Sequence, residues 1–91
     1  MNNDKILIHI KNMKTKKEFD LYVRPTDTIE SAKKIYMKEF NIPNIEYITW
    51  NIDAKILKND KTFQYYEIED DDLIVSIYKV VGGISKYKVI L

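Results

Sequence analysis

The chain has no cysteine, which removes disulfides, thiolate zinc sites and a cysteine nucleophile together. A small core without such staples suits a reducing compartment, so the cytoplasm is the expected setting, with the nucleus also open. Neither sign of charge is in excess: fifteen basic residues face fourteen acidic ones, a formal net charge of +1. That balance gives no global pull towards nucleic acid or an anionic membrane, and neither is expected as a partner. Long apolar runs are missing too. None exceeds three residues, as in Ile6-Leu7-Ile8, where a spanning helix needs roughly twenty, and Met1 to Asp4 is no secretory start. No Ser/His/Asp set, glycine-rich phosphate loop or metal-ligand spacing is present, so neither enzyme activity nor a cofactor is expected. Ninety-one residues have room for one small domain, expected as a monomer.

What is present is alternation. Ile6, Ile8 and Ile10 fall on one face of a first strand over Lys5 to Lys11, with His9 on the other. His9 has no obvious partner carboxylate and is expected on the open surface. After the polar turn 12–17, Phe19, Leu21 and Val23 alternate in a second strand that pairs back as a hairpin and ends at Pro25. Thr26-Asp27-Thr28 supplies capping oxygens, and Asp27 with Glu30 reads as a variant capping box. Ile29, Ala32, Tyr36 and Phe40 then follow helical spacing, predicting a helix over about 28–40 that Asn41 and Pro43 terminate.

Ile48, Trp50 and Ile52 alternate in a third strand, and a turn at Asp53-Ala54 leads to a short fourth one at Lys55-Ile56-Leu57. Trp50 is expected in the core. Thr62 to Ile68 has room for a helical turn, with Tyr66 buried and Tyr65 outside. The charged turn Glu69 to Asp72 lacks the spacing that wraps calcium. A last strand runs from Leu73 through Val81, and its inward face is predicted as Leu73, Val75 and Ile77, because an unpaired Ser76 hydroxyl in the core would cost about 1–3 kcal/mol. Lys14, Lys16 and Lys17 cluster on the first loop, where Glu18 and Asp20 beside them favour a solvated loop over a phosphate contact.

The order ββαββ suggests an α+β domain with one helix over a mixed sheet. The run Pro25-Thr26-Asp27-Thr28-Ile29-Glu30, then Ile42-Pro43, then Lys55-Ile56-Leu57 with Thr62 and Tyr66-x-Ile68, resembles ubiquitin. The resemblance covers roughly residues 6 to 83, with single-residue insertions in the first loop and between Pro43 and Lys55. It implies the β-grasp fold, with residues 1–83 as the domain and 84–91 as a removable tail or an added strand. It also implies a role as a protein modifier, cut after Gly83 and joined by an isopeptide bond to lysines of other proteins. The partners implied are activating and conjugating enzymes and a processing protease, all of which hold the catalytic groups. Gly82 and Gly83 suit that route because residues without side chains thread a narrow channel.

Gly82-Gly83 is equally a favoured two-residue hairpin turn, and Ile84 to Leu91 alternates as a strand would. A non-conjugated protein-interaction domain therefore stands as the other reading. Carried onto this chain, the family's reader-binding patch falls on Met13, on Asn51 at its centre, and on Ile77 if counted back from the diglycine or on Ser76 in the register preferred for the inward face. Asn51 breaks that patch, so ordinary ubiquitin readers are expected to bind poorly. The K-x-L lysine, a chain acceptor in the family, is Lys55, whereas the next loop's lysine position holds Asp70. The family's two tail arginines fall on Lys79 and Val81, which counts against recognition by ubiquitin's own activating enzyme.

Overall fold

Strand β1 (Ile6–Asn12) turns back into β2 (Glu18–Val23) with Ile8 opposite Leu21 and Ile10 opposite Phe19, as the alternation requires. The structure, a computed structural model, describes residues 4–79. Helix α1 (Ile29–Phe40) follows, then β3 (Ile48–Ile52), the short β4 (Lys55–Ile56) and β5 (Asp72–Tyr78). The five strands form one sheet in the order β2-β1-β5-β3-β4, in which only the central β1–β5 pairing is parallel. This is an α+β domain of the β-grasp kind. Gly82, Gly83, the boundary at residue 83 and the 84–91 extension lie outside the described residues.

Helix α1 begins where a side chain can take an orphan amide. The cap is Thr28, whose hydroxyl accepts from the Ser31 N–H at 3.1 Å. The expected Asp27/Glu30 box does not form: Asp27 instead accepts from the Arg24 N–H at 2.9 Å, and Glu30 pairs with Lys34 one turn on. Two more first-turn amides are met from outside the helix, Ile29 by the Lys61 carbonyl at 2.8 Å and Glu30 by that of Asn59 at 3.0 Å. The helix start is thereby stitched to the 58–61 loop. Thr28→Ala should cost about 1 kcal/mol in urea unfolding, the usual worth of a cap; an unchanged midpoint would mean that the loop carbonyls alone hold this end. Asn41 closes the other end in the left-handed region, at φ 57°.

Ile29, Ala32 and Tyr36 of α1 pack on Ile8 and Ile10 of β1, Ile48 and Trp50 of β3 and Ile74 of β5. Leu57, Phe63 and Ile68 close the core from the long 57–71 connection. Trp50 is fully buried and Tyr36 stacks on it edge to face at 5.7 Å between ring centres. Tyr66 is half-buried, and its hydroxyl accepts from the Lys58 N–H at 2.8 Å, while Tyr65 is exposed.

Strand β5 faces opposite to expectation. Ile74 and Ser76 point inward, and Leu73, Val75 and Ile77 point outward. The predicted penalty for burying Ser76 is absent because the hydroxyl has a partner: the buried Trp50 indole N–H donates to it at 3.2 Å. Each group resolves the other's problem, so one serine and one tryptophan, opposite each other on β5 and β3, set the strand's face.

Candidate interaction surface

Because β5 lies in the middle of the sheet, its outward residues form a central strip on the face away from the helix. Residues directly opposite on paired strands share a face, so the registers assemble the strip's neighbours. Asn51 of β3 lies opposite Val75 on one side and Ile56 of β4 on the other; Thr49 lies opposite Ile77, and His9 of β1 opposite Leu73. Leu73 is 43% exposed and Ile56 62%, while Val75 and Ile77 are half-buried. Met13, 54% exposed, is held against β5 by its own N–H, which donates to the Ser76 carbonyl at 2.9 Å.

Of the residues expected at this surface, Asn51 and Ile77 are brought to one face, Met13 is exposed beside β5, and Ser76 faces the core. The register preferred from the sequence, which turns Ser76 outward, does not hold: Ser76 is buried and Ile77 faces out. Lys79 follows β5, exposed, its N–H donating to the Tyr47 carbonyl at 2.7 Å. Lys55 is exposed on β4, its Nζ 6.0 Å from the centre of the Tyr66 ring. Leu73 and Val75 belong to the surface although the alternation of β5 predicts them inward, and Ile56 joins them from β4. Asn51 sits at the centre as a polar break: its Oδ1 is shielded and accepts no hydrogen bond from the described residues.

Among the described residues, two titratable groups depart from ordinary behaviour. Lys33, on the buried face of α1, is pushed down to about 8 by desolvation, its Nζ donating to Asn59 Oδ1 at 2.7 Å and to the Ile48 carbonyl at 3.3 Å. His9 is not the lone surface residue expected. Its Nδ1 lies 2.8 Å from Asp20 and its Nε2 3.1 Å from Asp71, and these hydrogen bonds, that to Asp20 first, hold it above 6.5. Glu18 stands near enough to make a cluster with His9 and Asp20. Both ring nitrogens are already committed to carboxylates, so the group is an ion-pair cluster.

A concavity of about 290 Å³ opens at the far end of the helix, among Tyr36, Phe40, Ile42, Ile48, Ser76 and Tyr78. Among the described residues Lys14 is the only charged one that lines it.

The model of the ubiquitin family matches residues 8–80, most of the chain and all of the sheet and helix except the first two residues of β1. The chain belongs to the ubiquitin family. No individual curated protein matches it. Ubiquitin-like domains generally act through protein–protein contacts, as modifiers or as interaction domains. Among the described residues no helix is long and apolar enough to cross a membrane.

Proposed function

We propose that this ubiquitin-like chain is a protein modifier, processed after Gly83 and attached through its diglycine to lysines of target proteins. The observation that carries this reading is positional. Gly82-Gly83 follows β5 by a few residues in a chain whose β-grasp domain matches the ubiquitin family up to residue 80. The domain itself supplies recognition, and the outer strip of Leu73, Val75 and Ile77 flanked by Met13 and Ile56 is the surface that partner proteins contact. Activation, transfer and cleavage are performed by partner enzymes. The chain works as a monomer in the cytoplasm, with the nucleus also accessible to a domain of this size.

The second reading is a non-conjugated interaction domain that uses the same strip, with Gly82-Gly83 as a hairpin turn. It is favoured by the alternation of Ile84 to Leu91. Intact-mass analysis of the tagged chain recovered from its own cells separates the two. The modifier reading expects a species ending at Gly83 and target lysines bearing a Gly-Gly remnant. Recovery of only the full-length chain in non-covalent complexes, with slow amide exchange over 86–91, would establish the interaction domain instead.

A further inference from the structure

We propose that His9 is a pH-operated clasp that, when protonated, ties the β1–β2 ribbon to the turn ahead of β5. The ring bridges two carboxylates on different elements: Asp20 of β2 at 2.8 Å through Nδ1, and Asp71 of the turn at 3.1 Å through Nε2. A neutral imidazole carries one N–H and one lone pair, so it donates to only one of these oxygens and turns a lone pair on the other. Both contacts are attractive only in the imidazolium. The geometry is that of the charged form, and each carboxylate favours it.

The surroundings make this a clasp rather than an isolated pair. Asp71 sits in a left-handed turn, φ 69°, whose N–H donates to the Leu7 carbonyl at 2.7 Å, and the Leu7 N–H donates back to Asp70 Oδ1 at 2.7 Å. Asp72 is occupied by the Glu69 N–H at 2.8 Å. From β2 the other facing groups are Glu18 and the exposed Tyr22, and from β1 Lys11, which lies opposite Glu18. The facing β5 residues, Leu73 and Val75, carry no charge. The charges next to the ring are therefore mostly negative, and loss of its proton leaves Asp20 and Asp71 uncompensated. Leu73 is the ring's neighbour across the β1–β5 pairing, so the same proton changes the charge beside the exposed strip by one unit.

The sign follows from linkage. With the folded-state pKa above 6.5, the clasp's stabilisation is complete below the unfolded value and is lost as pH rises through the folded one. NMR titration of the His9 ring in the wild type should give a midpoint above 6.5 that falls in Asp20→Asn and in Asp71→Asn and falls furthest in the double variant. Asparagine keeps the left-handed turn at 71, and intact folding is read from the buried Trp50 fluorescence. In parallel, the stability difference between wild type and His9→Gln should shrink from pH 5 to pH 8. A midpoint unmoved in the double variant, or a difference flat with pH, would overturn the clasp.

Discussion

Asn59→Asp should raise the stability of the domain at pH 7 by about 1–3 kcal/mol and abolish the alkaline rise in stability expected of the wild type. The expectation rests on Lys33, only 3% exposed, whose ammonium has neutral oxygens for partners, Asn59 Oδ1 and the Ile48 carbonyl. None of the ion pairs among the described residues includes it. Burial moves its pKa from 10.5 to about 8, so the ammonium persists at neutral pH at a cost of about 3 kcal/mol, taking roughly 1.4 kcal/mol per pKa unit. A carboxylate in place of the Asn59 amide would meet that charge at the 2.7 Å position already occupied by an acceptor.

The direction with pH distinguishes this from a generic stabilisation. In the wild type the folded pKa lies below the unfolded one, so between about pH 8 and 10.5 the unfolded chain holds the extra proton, and stability rises with pH through that window. Pairing the ammonium restores its pKa and removes the rise. Lys33→Met should also remove it, with a gain of about 1–2 kcal/mol at pH 7, because an apolar side chain of similar length replaces a buried charge. Urea unfolding from pH 7 to 10, read as differences from wild type so that tyrosine ionisation cancels, checks both variants. An Asn59→Asp protein that is less stable at pH 7, or that keeps the wild-type slope, would show that Lys33 is solvated well enough to need no counter-charge.

Most of the fold is legible in local pattern. The isoleucine alternation of β1, the Asn41 end of α1 and the Trp50 strand each depend on residues close in sequence, whereas at the helix start the cap is Thr28 and not the expected Asp27/Glu30 pair. The parts that were not legible depend on partners far away. Both alternations of β5 are apolar enough to be buried, and the choice between Val75 and Ser76 is decided by an indole N–H on β3 that needs an acceptor. His9 looked isolated because its partners stand 11 and 62 residues away, joined to it only by the β1–β2 pairing and the return of the chain beside β1. Lys33 carries a local signal, one turn after Ile29 and adjoining Ala32 on the apolar side, but nothing nearby tells that its ammonium ends against Asn59. The same reversal of β5 that misplaced Ser76 hid the surface strip, since the residues assigned to the core are the ones that face outward.

That strip yields the other large effect. Asn51→Ile should stabilise the domain by about 1–2 kcal/mol and raise its affinity for a generic ubiquitin-binding domain at least about tenfold. Asn51 Oδ1 is shielded and has no partner among the described residues, a condition that costs about 1–3 kcal/mol for a buried acceptor. An isoleucine removes that acceptor and suits a strand position between Val75 and Ile56, its two cross-strand neighbours. The outward face then becomes continuously apolar from Ile56 through β5, and the partner no longer has to desolvate an amide at the centre of the contact. Ser76→Val is the control with the opposite sign: it strips the Trp50 N–H of its acceptor and should destabilise the fold by about 1–3 kcal/mol without improving binding. Calorimetric titration of both variants, alongside urea unfolding, reads the two effects separately. A more stable Asn51→Ile protein with unchanged affinity would mean that this face, although apolar and exposed, is not where partner proteins dock.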